Sequence, residues 1–126
     1  MIEVSGVVKD FKISKGLFRG KDVLRAVDDV SLTIESGDVL AIVGESGCGK
    51  TTLARIILGL LPPDLGEVKF NGTALSDFKK LDLAKLVQPI FQDPYSSLNP
   101  RKTIGEIINL PLRVQGSRGS IDHKKI

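Results

Sequence analysis

An octet at positions 44–51, Gly-Glu-Ser-Gly-Cys-Gly-Lys-Thr, constrains the fold of this chain more than any other segment. It fits the pattern G-x-x-x-x-G-K-[ST] at every fixed position. Residues 39–43 before it form a short apolar run rich in β-branched side chains, and residues 53–61 after it are largely apolar. The first run predicts a strand buried in a mostly parallel sheet, and the second predicts a buried helix. We therefore interpret the octet as a loop that binds the phosphates of a nucleotide; the alternative is a plain glycine-rich turn.

The residue types in the octet suit phosphate chemistry. Glycines reach positive φ and carry no Cβ, so successive backbone N–H groups can turn inward on a phosphate. Lys50 would place its ammonium between the β- and γ-phosphates, the Thr51 hydroxyl would ligate Mg²⁺, and Thr52 would reach the α-phosphate. The predicted nucleotide-binding residues of this loop are Gly44, Glu45, Ser46, Gly47, Cys48, Gly49, Lys50, Thr51 and Thr52.

Composition limits the other possibilities. The 126 residues are 41% hydrophobic and 26% charged, as in an ordinary soluble domain. The single cysteine excludes an internal disulfide, and the single histidine excludes a His-rich zinc site. The chain contains neither an apolar stretch of about eighteen residues nor a signal-peptide pattern, so we expect a cytoplasmic protein.

The first third of the chain is expected to be mostly antiparallel β structure. Residues 2–11 predict a strand, and residues 12–24 predict a polar loop with two glycines. Residues 30–34 alternate apolar and polar side chains, which indicates a half-buried strand, and residues 35–38 predict a turn.

Beyond the octet, Pro62 and Pro63 are expected to end the helix. Residues 66–72 predict a strand that closes on an Asn71-Gly72 hairpin turn. Residues 77–86 and 103–110 predict helices, and residues 87–91 predict another buried strand.

Gln92 follows that last predicted strand and precedes a loop with two prolines. Open α/β sheets bind ligands outside the carboxyl ends of their strands, so the Gln92 amide is a candidate partner for a metal-bound water. A strand-capping role in a turn explains the same position equally well.

Several segments together resemble the nucleotide-binding subunit of an ABC transporter. They are the octet, the stretches Ala-Val-Asp-Asp-Val-Ser-Leu at 26–32 and Gly-Glu-Val at 66–68, and Phe-Gln-Asp-Pro at 91–94. The sequences Ser-Gly-Cys-Gly-Lys at 46–50 and Tyr-Ser-Ser-Leu-Asn-Pro-Arg at 95–101 resemble those of the branch that imports oligopeptides and dipeptides. Nickel, glutathione and oligosaccharide importers are relatives of that branch. The resemblance implies an α/β fold, a P-loop NTPase core with an N-terminal antiparallel β subdomain. Within a partial domain at 1–126, it divides the chain into β structure at 1–38, the core at 39–92, and the Q-loop with the start of a helical subdomain at 93–126.

The resemblance also implies roles for single residues. Lys50 and Gln92 would act in phosphoryl transfer, with Gln92 contacting Mg²⁺ or the attacking water. Phe11 would stack on the adenine of ATP, although Phe18 is also available and either could be core. The loop from Tyr95 to Arg101 would face transmembrane permease subunits, so that the protein lies on the inner face of the cell membrane. A second ABC ATPase subunit would complete a head-to-tail dimer that binds ATP or ADP, and no nucleic-acid partner is expected.

Three motifs of that family do not occur in these 126 residues: an apolar strand ending in Asp-Glu, a Leu-Ser-Gly-Gly-Gln-like signature and a switch histidine after both. Residues 116–120 resemble the signature only superficially, and His123 comes before any Asp-Glu strand. We therefore expect an N-terminal portion, truncated before the helical subdomain is complete, that binds nucleotide without turnover. The alternatives are part of a non-transport ABC ATPase and a non-catalytic nucleotide-binding fragment.

Overall fold

A computed structural model describes residues 1–14, 21–93, 95 and 97–114. These residues fall into two compact units, divided between Val87 and Gln88. Phe18, residues 116–120 and His123, all considered above, lie outside the described residues.

The first unit is built on a four-stranded sheet with the order β2-β1-β3-β4. Its strands are β1 (Ile2–Ser14), β2 (Lys21–Ile34), β3 (Leu65–Phe70) and β4 (Thr73–Ala74), and every pairing is antiparallel. The prediction of antiparallel β structure in the first third is confirmed. The predicted loop at 12–24 is wrong at both ends, because β1 continues to Ser14 and β2 begins at Lys21.

The helices of the first unit are shorter than their sequences predict, whereas the helix predicted at 103–110 extends to Val114. Those of the first unit are α1 (Lys50–Ile57), a 3₁₀ turn (Leu75–Asp77) and α2 (Lys80–Leu86). The helix α1 ends well before Pro62, because Gly59 has a φ of 67° and its N–H donates to the carbonyl of Ile56. A glycine just past the helix therefore terminates α1, and the prolines do not.

The core lies where α1 meets one face of the sheet. Its buried side chains are Val4, Val7, Val27, Leu53, Ile56 and Val68. They come from β1, β2, β3 and α1, so the helix that starts at the octet is held by burial against three strands. Burying side chains of this size stabilises by about 1.5–3 kcal/mol each.

The two predicted buried strands are wrong for the described residues. Residues 39–43 and 87–91 have no strand assignment, and Val39 and Ile90 are 97% and 100% exposed. A strand buried on both faces needs hydrogen-bonded neighbours on each side. None of the four described strands pairs with either segment, so the apolar runs lack the neighbours that would order and cover them.

The hairpin prediction is confirmed. Asn71 and Gly72 both have positive φ, 48° and 79°, and connect β3 to β4. Two successive positive φ values belong to the turn that matches the twist of paired strands. The half-buried alternation at 30–34 and the turn at 35–38, where Asp38 N–H donates to the Glu35 carbonyl, are confirmed as well.

Candidate nucleotide-binding site

The glycine loop leads directly into α1. Gly47 and Gly49 have φ values of 83° and 96°, and Gly49 is the N-cap of the helix. The first intrahelical bond runs from the Leu53 N–H to the Gly49 carbonyl at 2.9 Å. The N–H groups of residues 50–52 precede that bond, so the helix presents its positive end and its first donors at the loop.

Gly49 lies directly against β2. A Cβ built on Gly49 would overlap the carbonyl oxygen of Ala26. Ala26 itself is a bulge residue, because Lys9 pairs with Val27 while Asp10 pairs with Arg25. A bulge bends its strand and re-aims the groups beside it. The octet spacing indicates that Gly49 is required, but the sequence carries no signal for the bulge that makes the contact.

Lys50 folds back onto its own loop. Its Nζ donates to the carbonyls of Gly44 at 2.8 Å and Glu45 at 2.5 Å, and lies 3.5 Å from the Cys48 Sγ. The loop thus keeps the ammonium beside the backbone groups that the sequence assigned to phosphate binding. Cys48 is exposed at the same place.

Thr51 and Thr52 occupy the first turn of α1. Thr51 is exposed and Thr52 is half-buried. Mg²⁺ requires oxygen ligands and commonly takes one or two from protein, the rest from water and substrate phosphates. The residues present fit that mode, since Thr51 is exposed and its hydroxyl supplies one oxygen ligand.

Residues of the loop and of β2 line a cavity of about 180 Å³. Lys50, Cys48 and Asp28 are among its lining residues. The Asp28 carboxylate accepts from the Arg25 guanidinium at 3.0 Å, and the same guanidinium donates to Asp10 at 2.9 Å. These two carboxylates raise the pKa of Arg25, and Arg25 in turn offsets the negative charge that Asp28 brings to the cavity.

Phe11 lies on β1 near this cavity. Its partner in β2 is Leu24, two positions before the bulge residue Ala26. With about 3.3 Å per residue and about 4.8 Å between strands, the Phe11 backbone is on the order of 8 Å from Ala26. Phe11 is 38% exposed, so it is not a core residue.

Gln92 and the loop after it belong to the second unit. Gln92 is exposed and does not follow a strand. Asp93 organises the start of the loop, since its carboxylate accepts from the Tyr95 N–H at 2.9 Å and its carbonyl accepts from the Ser97 hydroxyl at 2.8 Å. Asn99 forms a similar turn by accepting from the Arg101 N–H at 3.0 Å. Tyr95 is left 88% exposed.

The helix α3 (Ile104–Val114) follows that loop and begins at a capping box. The Glu106 carboxylate accepts from the Thr103 N–H at 2.9 Å, and the Glu106 N–H donates to the Thr103 hydroxyl at 3.3 Å. These bonds from Thr103 hold the pKa of Glu106 below its ordinary value.

Among the described residues, no helix is both long enough and apolar enough to cross a membrane.

Comparison with known proteins agrees with the loop geometry. A family model described as ABC transporter matches residues 27–125. The chain is 47% identical over 120 residues to the oligopeptide transport ATP-binding protein OppF of Haemophilus influenzae, covering 90% of this chain and 36% of the relative. It is 45% identical over 117 residues to the oligopeptide transport ATP-binding protein AppF of Bacillus subtilis, covering 88% and 35%.

The fold is also that of a solved relative. The dimeric post-hydrolysis state of the ATP-binding cassette MJ0796, bound to ADP and Pi, superposes with a TM-score of 0.74 and 29% identity, over 98% of this chain and 51% of that one. The predicted fold class, an ABC-type P-loop NTPase, is thereby confirmed. The chain spans about a third of the length of its curated relatives. From the family match and these identities, the chain belongs to the ABC transporter family.

Proposed function

We propose that this chain is the ATP-binding part of an ABC importer ATPase that takes up peptides or a related solute. The observation that carries the proposal is the glycine loop at the start of α1, with Lys50 Nζ held at its Gly44 and Glu45 carbonyls. Both curated relatives described above are named for oligopeptide transport, which supports the choice of solute class.

ATP binding exchanges the partners of Lys50. The ammonium leaves the two loop carbonyls and takes the β- and γ-phosphates, while the first N–H groups of α1 donate to phosphate oxygens. The Thr51 hydroxyl holds Mg²⁺, which neutralises charge on the phosphates when bound, and Thr52 lies at the α-phosphate. Phe11, exposed on β1 about 8 Å from Ala26, stacks on the adenine.

Residues 1–126 alone bind ATP or ADP without steady turnover. The sequence of this range offers Lys50 for transition-state charge and Gln92 as a ligand of Mg²⁺ or of the attacking water. It contains no carboxylate after an apolar Asp-Glu strand to serve as general base. Hydrolysis in the whole protein would then need a head-to-tail dimer with a second ABC ATPase subunit.

The loop from Tyr95 to Arg101 is the proposed contact with transmembrane permease subunits at the cytoplasmic face of the membrane. Tyr95 and Leu98 are 88% and 48% exposed within it. The turns made by Asp93 and Asn99 hold the loop backbone in shape without a partner. Exposed apolar side chains on a shaped loop suit a protein contact.

Calorimetric titration of the chain with Mg-ATP tests the proposal. Lys50→Ala is expected to weaken binding at least about tenfold, because a charge-assisted contact to phosphate is lost. Lys102→Ala, which removes an equal charge from the second unit, is the matched control. Equal affinities for wild type and Lys50→Ala would contradict the site, and steady phosphate release abolished by Lys50→Ala would contradict the absence of turnover.

A further inference from the structure

Lys9 is the one charged residue that is buried among the residues whose burial the structure describes. Its relative exposure is 9%, and its Nζ donates to the Asp64 carboxylate at 2.9 Å. Lysine is rarely buried without a paired acid, and Lys9 precedes Phe11 by two residues in β1. The ammonium is 5.9 Å from the centroid of the Phe11 ring, over its face.

Asp64 fastens this part of β1 at three successive residues. Its N–H donates to the Val8 carbonyl at 2.9 Å, its Oδ1 accepts from Lys9, and its Oδ2 accepts from the Asp10 N–H at 2.7 Å. The pairing of β1 with β3 ends at Val8 and Leu65, so Asp64 continues the attachment by side-chain bonds where the ladder stops. These bonds keep the pKa of Asp64 below its ordinary value. The bond from the Asp10 N–H has the largest effect, and the bond from Lys9 has the next largest.

The ammonium is thus fixed independently of the ring, at a distance that attracts it to a ring face. We propose that the Lys9–Asp64 pair positions the Phe11 ring as a platform for the adenine base, which makes Lys9 a positioning residue for base recognition. The proposal rests on the nucleotide-binding function above. A ring held on one side loses less rotamer freedom when a base stacks on its other side, so the base binds more tightly.

The expected effect is modest and specific to the base. An exposed or half-exposed cation–π contact corresponds to about a two- to fivefold change in an equilibrium constant. Lys9→Met keeps most of the aliphatic stem and removes the charge. It is expected to weaken Mg-ATP binding about two- to fivefold and to leave the binding of magnesium tripolyphosphate, which has no base, unchanged.

Two variants provide the controls. Lys12→Met removes an equal charge from the exposed side chain next to Phe11 and is expected to change the affinities for ATP and tripolyphosphate by the same factor. Phe11→Ala removes the platform, so adding Lys9→Met to it is expected to weaken ATP binding no further. Equal loss of both ligands in Lys9→Met, or full additivity with Phe11→Ala, would overturn the proposal.

A second measurement needs no nucleotide. The chain has no tryptophan, so Phe11→Trp introduces a single indole at the platform. Adding Lys9→Met is expected to raise its acrylamide quenching, while adding Lys12→Met is not; equal quenching in all three proteins would overturn the positioning role. Loss of ATP binding in Lys50→Ala with no effect of Phe11→Ala would overturn the platform yet leave the phosphate site standing. Unchanged ATP binding in Lys50→Ala would instead refute the proposed function.

Discussion

Gly49 is pressed against the carbonyl oxygen of Ala26 so closely that a methyl group on Gly49 would overlap it. The requirement for glycine at this point of the loop thus has two sources, a φ of 96° and a neighbouring strand. Gly47 shares the first source only, since its φ is 83° and nothing lies within 4 Å of the place a Cβ would take.

The two glycines can therefore be separated by experiment. Gly47→Ala is expected to lower the free energy of unfolding by about 1–2 kcal/mol, the cost of a left-handed residue with a Cβ. Gly49→Ala is expected to cost about 1–3 kcal/mol more, because the loop must also move away from β2. Urea unfolding midpoints measure both, and equal losses would contradict the role of the Ala26 contact.

Cys48 reports on occupation of the loop. It is the only cysteine of the chain, is exposed, and lies 3.5 Å from the Lys50 ammonium. Mg-ATP is expected to slow alkylation of Cys48 by iodoacetamide several-fold, because bound phosphates cover the loop. Mass spectrometry gives the rate directly. Protection is expected to disappear in Lys50→Ala, and identical rates with and without nucleotide in the wild type would show that the loop does not close on phosphate.

Asp64 gives stability a defined acid dependence. Its pKa is lower in the folded chain than in the unfolded one, chiefly through the bonds from Asp10 and Lys9. The stabilisation that Asp64 provides to the folded chain is therefore complete above the pKa of an unfolded Asp, about 4. It is lost as the pH falls through the lower pKa that Asp64 has in the folded chain. Urea midpoints measured between about pH 6 and pH 2.5 are expected to fall less steeply in Asp64→Asn than in the wild type.

Asp77 offers a comparison for that experiment. Its exposed carboxylate lies in the 3₁₀ turn and accepts from the hydroxyl of the adjacent Ser76 at 3.1 Å. Asp77→Asn is expected to leave the wild-type pH dependence intact. If the urea midpoint of Asp77→Asn stayed constant at low pH, or if that of Asp64→Asn fell as steeply as the wild type's, Asp64 would not be the source of the acid dependence.

The capping box of α3 is expected to govern the fraying of that helix. Thr103→Ala removes the hydroxyl that accepts a hydrogen bond from the Glu106 N–H and donates one to the Glu106 carboxylate. The first turn is expected to lose about 1 kcal/mol of protection against opening. Amide hydrogen exchange at residues 104–107 measures it. Thr103→Ser keeps the hydroxyl and is expected to retain protection, so equal loss in both variants would rule out the hydroxyl as the cause.

Residues 39–43 are expected to drive self-association. Val39 and Val43 are 97% and 87% exposed in a segment that pairs with none of the described strands, and such a segment readily adds to another chain. Sedimentation is expected to show concentration-dependent association, weakened at least about tenfold by Val39→Lys with Val43→Lys. Val23→Lys alters an exposed valine within the paired strand β2 and is not expected to weaken it. A clean monomer at high concentration would contradict this prediction.

Local signals predicted the parts of the fold whose pattern lies within a short stretch of sequence. The Asn71-Gly72 turn depends on its own two residues, and the alternation at 30–34 and the helix after the octet show their periods within their own residues. All three are present. The apolar runs at 39–43 and 87–91 need strands from elsewhere, so their composition could not tell whether those neighbours would be in place.

The sequence likewise predicted the local part of the candidate site and missed the residues that come from distant segments. The octet identified the loop and the start of α1, but not Ala26, whose importance comes from a bulge, nor Lys9 and Asp64, which meet across 55 residues of sequence. A lysine in an apolar strand was the available signal. Its meaning depends on an acid brought from the turn before β3, which spacing alone does not reveal.

The bonds of Lys50 to the Gly44 and Glu45 carbonyls have a consequence for ligand selection. A loop that already satisfies its own cation sets a threshold for any ligand, which must be a better acceptor than two backbone carbonyls. Neutral sugars and nucleosides offer nothing that improves on those dipoles. Polyphosphates place several negative oxygens within reach of one ammonium, so the bonds within the loop favour polyphosphates over neutral ligands whatever base they carry.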